Sequence, residues 1–237
     1  MFRPAGRRPI ILCAILLIWS LLAVALAAEQ PVSAATQISR VEPGQGKVAL
    51  TFDADAWPGR ITAILNALRK HDTRITFFLT GNYLVNFPRL ARQIHQAGHE
   101  IASHGYEHRD YRGLSGEQIA QRLERWQETF EALTGERGPS FWRAPYGYSD
   151  SRVRQAALDN GFSTIYWTLD TQDTIGPPKS RAFIVNRVLN SSWLKLDGAI
   201  VLLHVNAGGS VDALDEILAT LKRRGLRAVT ISELLER

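Results

Sequence analysis

The 237 residues are 45% hydrophobic and 22% charged, enough for one sizeable core, which excludes a chain disordered over most of its length. The formal charge of +5 is largely amino-terminal, because residues 1–28 hold Arg3, Arg7 and Arg8 with no acidic residue, and the remainder carries only +2. No cationic run interleaved with aromatics follows, which removes nucleic acid as a partner; the single cysteine, Cys13, leaves no thiol later in the chain for a disulfide or a thiolate metal site.

The basic front, the apolar run Ile10–Leu26 and the small residues Ala25-Leu26-Ala27 predict an export signal over residues 1–28. The apolar run also reaches the lower edge of a membrane span, so an uncleaved anchor, and with it membrane association, stays open. Residues 29–46, rich in Ala, Gln, Ser, Pro and Gly without a sustained period, predict an extended linker. The folded domain is then expected from Lys47 to Arg237.

Within it, apolar β-rich runs alternate with helical patterns. Val48–Asp53, Ile75–Leu79, Glu100–Ser103, Ser140–Arg143, Ser163–Leu169, Ala199–His204 and Arg227–Thr230 read as seven strands. Between them, Arg60–Lys70, Pro88–Ala97, Gly116–Leu133, Ser151–Asn160, Ser180–Ser191 and Val211–Arg224 carry helical spacing. Ser115 with Gln118 forms a capping-box signature, and Gly135, Gly161 and Gly225 follow periodic segments where helices end. Such alternation implies a single α/β domain of parallel strands with right-handed crossovers, either an open doubly wound sheet or a closed barrel.

Chemistry concentrates at the ends of these strands. The β-run Val48–Phe52 leads into Asp53 and, two residues on, Asp55; His104 and His108 follow the strand ending at Ser103. Two histidines four apart, taken alone, read more readily as solvated imidazoles. Two neutral imidazoles plus a carboxylate, however, are the usual protein share of a catalytic zinc site that keeps a position open. Arg143, Tyr146, Asp170, Leu202 and His204 follow or end later apolar runs, where an α/β barrel places its site. Taken singly, Arg143 reads as a surface ion pair, Asp170 as a turn or cap residue and Leu202 as core. Trp57, Trp142 and Trp167 are candidates for sugar-stacking platforms, with core packing the better reading for Trp167. His71, His95 and His99 lack such partners and read as structural or solvated.

In order, Thr51-Phe52-Asp53, Ser103-His104 with His108, Arg143 with Pro145-Tyr146-Gly147, Asp170, and Leu202 with His204 resemble the five motifs of the polysaccharide deacetylases. These are the NodB-like domains of carbohydrate esterase family 4. Thr76–Gly81 and Gly98–His104 add to the match, which runs from about Lys47 to Leu235. The resemblance implies a distorted (β/α) barrel of about seven strands and metal-dependent hydrolysis of acetyl groups on glycans. It implies a divalent metal, zinc first with cobalt or a similar ion possible, on His104 and His108. Asp53 would then be the general base and His204 the general acid; Asp170 would hold and charge His204, and Arg143 would orient Asp53. The backbone N–H of Tyr146 would meet the oxyanion, and Leu202 would line the pocket for the acetyl methyl.

Two positions depart from that pattern. The metal's carboxylate ligand would stand where this chain has Ala54, so Asp55 is the expected replacement; Thr174 stands where a tryptophan would close the fourth motif. The implied activity is an exported deacetylase of peptidoglycan or a chitin-like polymer. An O-acetyl esterase using the same site, and a glycan-binding protein that has lost hydrolysis, are the alternatives.

Overall fold

The structure, a computed structural model, describes residues 35–236. The expected export segment, residues 1–28, lies outside them. Among the described residues no helix is long and apolar enough to cross a membrane.

The central strand is β2 (Lys47–Ala54), and its residues face alternately two ways. Val48, Leu50, Phe52 and Ala54 pack outward against the helical layer, while Ala49 joins Phe78, Ala102, Ile165, Ile200 and Val229 in an inner cluster. Around β2 run β3 (Thr76–Leu79), β4 (Glu100–Ser103), β5 (Phe141–Trp142), β6 (Ser163–Ile165), β7 (Leu169–Asp170), β8 (Ile200–His204) and β9 (Arg227–Val229). With β1 (Gln37–Ile38) the order is β1-β6-β5-β4-β3-β2-β8-β7, and β9 pairs with the first residues of β2. Every one of these strand pairs is parallel, and the sheet curls into a distorted (β/α) barrel.

The outer layer holds α1 (Ile61–Lys70), α2 (Gly81–Asn86), α3 (Pro88–Gln96), α4 (Gly116–Thr134), α5 (Ser151–Asp159), α6 (Arg181–Leu189), α7 (Trp193–Leu196), α8 (Gly208–Arg223) and α9 (Ile231–Leu235). The Ser115–Gln118 capping box starts α4, and Gly135, at φ 85°, ends it in the left-handed region. Three helices, α2, α7 and α9, escape the sequence periodicity because six, four and five residues are too few to show a 3.6 period. Thr80, Ser192 and Thr230 cap their amino termini.

Two expectations are corrected. Ser163–Leu169 is not one strand: β6 pairs with β5, whereas β7 pairs with β8, so the run crosses the seam of the barrel and breaks there. Nor do residues 37–41 behave as a linker. β1 adds to β6, Tyr166 N donates to the Ile38 carbonyl at 2.7 Å, Arg40 bridges antiparallel to Ala199, and Val41 N donates to the Gly198 carbonyl at 2.9 Å. This segment fills the gap between β6 and β8, so the fold begins well before Lys47.

Candidate active site

All the strands run the same way, so their carboxyl ends collect at one mouth of the barrel. Asp53 ends the polar inner face of β2, in register with His204 on β8. His104 directly follows β4, Arg143 follows β5, and Asp170 ends β7. Asp53, Asp55, His104, His108, Tyr146, Asp170, Leu202 and His204 line one cavity of about 510 Å3, while Arg143 lies behind Asp53, fully buried.

Arg143 Nη1 donates to Asp53 Oδ1 at 2.6 Å and to Thr51 Oγ1 at 2.9 Å, and its guanidinium lies over the Phe78 ring at 4.0 Å. Burial pushes the Asp53 carboxyl up, but the charge of Arg143, aided by His104 and His204, outweighs it and holds the group below its ordinary value. The carboxylate is therefore ionised although only 4% exposed.

His104 has its tautomer set by its neighbour: Nδ1 donates to the Arg143 carbonyl at 2.9 Å, which leaves Nε2 as a lone pair. Burial pushes its pKa down to about 4, so the ring is neutral near pH 7. Its Nε2 faces Asp53 Oδ2 at 3.7 Å, too far for a hydrogen bond. The His108 ring stands edge-on to His104, with centroids 5.1 Å apart, and to Tyr146 at 4.3 Å. Burial likewise lowers the His108 pKa, against the opposing pull of the Asp55 and Asp53 charges. Asp55 lies one residue beyond β2 and accepts from Thr80 Oγ1 at 3.3 Å.

Among the described residues no three His, Cys, Asp or Glu side chains are already gathered as a metal centre. The donor chemistry nevertheless fits a divalent cation. Two neutral imidazoles stand with carboxylates near them, and the His104 lone pair confronts an ionised oxygen across a gap that no proton bridges.

On the opposite side, the carboxylate that holds His204 is Asp173, not Asp170. Asp173 Oδ1 bonds His204 Nδ1 at 2.7 Å, and its Oδ2 accepts from the His204 backbone N–H at 2.8 Å and from Ser210 Oγ at 2.5 Å. Burial pulls the His204 pKa down, but the bond to Asp173 and its charge outweigh that, and the net shift is upward. Asp170 instead accepts from Gln172 N at 2.7 Å; this caps a turn in which Gln172 has φ 58° and which delivers Asp173 to the imidazole. The missed signal was the acid three residues on, in Asp170-Thr171-Gln172-Asp173.

Tyr146 sits at φ 61°, a left-handed conformation that costs a residue with a side chain on the order of 1–3 kcal/mol and gathers at functional sites. Of the tryptophans, Trp142 is fully buried core. Trp167 stacks on Tyr166 with centroids 3.9 Å apart and also lines the cavity, so it is not core alone. Trp57 is 68% exposed at the cavity's mouth. The remaining histidines are structural: His71 Nε2 pairs with Asp215 at 2.8 Å, His95 stands edge-on to Phe130, and buried His99 accepts from Ile75 N at 3.3 Å.

Residues 40–165 match the family model for polysaccharide deacetylase. The peptidoglycan-N-acetylglucosamine deacetylase of Bacillus cereus is 33% identical over 196 residues, 81% of this chain and 69% of that one. The crystal structure of a wild-type pseudoenzyme of carbohydrate esterase family 4 from Bacillus anthracis superposes with a TM-score of 0.77 at 32% identity, covering 85% of this chain and 69% of the other. A mutant of that pseudoenzyme with restored enzymatic activity gives the same TM-score at 34% identity, covering 85% and 71%.

Proposed function

Because the chain belongs to the polysaccharide deacetylase family, carbohydrate esterase family 4, we propose that it is an exported, metal-dependent hydrolase that removes acetyl groups from N-acetylated glycans, with peptidoglycan the first candidate. One observation carries this reading. A single cavity opposes a carboxylate held ionised, Asp53 on Arg143, to an imidazole held ready for a proton, His204 on Asp173.

In this reading Asp53 takes a proton from the attacking water as its oxygen adds to the acetamide carbon. The backbone N–H of Tyr146 meets the oxyanion that forms, a contact worth roughly 3–4 kcal/mol when well aimed. Leu202 receives the acetyl methyl. His204 gives its proton to the nitrogen as the C–N bond breaks, releasing acetate and a free amine. His104 and His108, with Asp55 on the inward side of the β2 exit, would hold the cation, zinc first and cobalt as a substitute. When bound, such an ion supplies Lewis acidity and lowers the pKa of a water from 15.7 to about 7. Export rests on the amino-terminal basic and apolar pattern.

A second reading, glycan binding without turnover, draws on Ala54 and on the likeness to a wild-type pseudoenzyme. Acetate release from N-acetylglucosamine oligomers, peptidoglycan and acetyl xylan, measured with chelator and then with zinc restored, separates the possibilities. Release from the amino-sugar polymers that stops and returns supports the proposal, and release from acetyl xylan alone makes the protein an O-acetyl esterase. Retained binding without any release favours the second reading.

A further inference from the structure

Nine large hydrophobic residues are exposed among those described, and four of them, Trp57, Tyr146, Tyr148 and Ile175, line the candidate active-site cavity. Three have evident company or a smaller face. Tyr146 packs on His108 and Tyr148, and the Arg112 guanidinium covers the Tyr148 ring at 4.2 Å. The Trp57 ring, 68% exposed, has no aromatic or cationic partner among the described residues.

The loop that presents this ring is pinned on both sides. Thr80 Oγ1 donates to Asp55 Oδ1 at 3.3 Å, Tyr83 Oη donates to the Pro58 carbonyl at 2.9 Å, and Arg60 N donates to the Val205 carbonyl at 3.0 Å. Gly59 turns at φ 66°, and a Cβ there would lie 2.5 Å from Val205 Cγ2, so the chain can pass only as glycine. A bare indole carried on a pinned loop at the rim of a cavity is costly unless something covers it. A pyranose suits the place, because its C–H face is apolar and its hydroxyls stay in solvent when that face lies on an aromatic ring.

We propose that Trp57 is a preorganised stacking platform for the sugar unit next to the one whose acetyl group enters the cavity. The protein then selects chains over single sugars. This inference rests on the deacetylase reading and deepens it.

The test compares the zinc-loaded wild type with Trp57→Ala and Trp57→Phe on N-acetylglucosamine substrates from monomer to pentamer. Acetate release and indole fluorescence are both followed. Expected for Trp57→Ala is about a tenfold fall in kcat/KM on the pentamer, roughly 1.4 kcal/mol, carried mainly by KM, with the monomer changed less than about twofold. Trp57→Phe keeps a ring and should recover most of the loss. Pentamer should shift the wild-type emission to shorter wavelength, and that shift should vanish in both variants. An unchanged pentamer-to-monomer ratio with the shift intact overturns the platform while leaving the deacetylase reading standing. An equal loss on every chain length makes the role structural and also overturns it. A wild type that neither releases acetate nor shifts on any oligomer sinks the deacetylase reading, and the platform with it.

Discussion

A buried base must stay charged without help from bulk water, and Asp53 does so chiefly because Arg143 lies 2.6 Å away. Replacing Arg143 with Met removes the charge and leaves the upward push of burial unopposed by its largest counterweight. Asp53 must lose its proton to act, so the acid limb of the pH–rate profile should move to higher pH, with kcat/KM down by roughly 10²-fold. An acid limb left in place would disprove the pairing. The sign reverses for His204, which must carry a proton: its raised pKa extends activity to higher pH, and activity falls as pH rises through that value. Asp173→Ala should therefore bring the alkaline limb to lower pH and cut the rate by roughly 10²-fold, whereas Asp170→Ala should cost far less. Equal effects of the two variants would mean that the turn matters more than the imidazole's partner. That Asp53, His104 and His204 meet in one cavity was legible in the sequence because each sits at or just past the end of an apolar run, and His108 was legible from its spacing of four from His104. Asp173 was not, since the choice between two acids three apart depends on the left-handed backbone at Gln172, which no residue pattern announces.

Among the elements, continuous apolar runs gave the longer parallel strands directly, because both faces of such a strand are buried. The short α9 was invisible by the same criterion; it buries Ile231 and Leu234 in the inner cluster and is held by polar contacts as well. Glu100, at the amino-terminal end of β4, accepts from Thr76 Oγ1 at 2.6 Å, from Ile231 N at 3.1 Å, and from the backbone and hydroxyl of Ser232. One carboxylate thus ties the start of α9 to β3 and β4, at the end of the barrel away from the cavity. Glu100→Ala strands several of these donors and should lower the unfolding free energy by about 1–3 kcal/mol, seen as a fall in Tm of about 2–4 °C for each kcal/mol. Acetate release measured well below Tm should be retained. A lost rate with an unchanged Tm would place Glu100 in the chemistry rather than in the clasp.

For the whole molecule, closure is the property that composition and period could not reach. The parallel order from β6 round to β7 leaves two edges facing one another, and residues 29–46, without a sustained period, read as a linker between the export segment and the domain. Within that expected linker, residues 37–46 instead close the seam through backbone and polar groups. Arg40 donates to the carbonyls of Lys195 at 2.9 Å and Asp197 at 2.8 Å, and the Asp197 carboxylate takes the N–H groups of Gly44 and Gly46 at 3.2 and 2.7 Å. Gly198 has φ 75°, and a Cβ there would sit 1.8 Å from the Val41 carbonyl oxygen, so the two segments meet backbone to backbone. A chain starting at Lys47 loses all of this and bares the edge of β6 and the stretch Gly198–Ala199 leading into β8, whose unpaired groups invite association with other copies. At about 0.5–1.5 kcal/mol for each hydrogen bond lost, it should melt several degrees below a chain starting at Ala35 and aggregate at lower concentration. Differential scanning calorimetry and light scattering on the two chains decide the matter. Coincident melting curves would return residues 37–46 to the status of a linker and leave the barrel's seam to be held by β6, β7 and β8 alone.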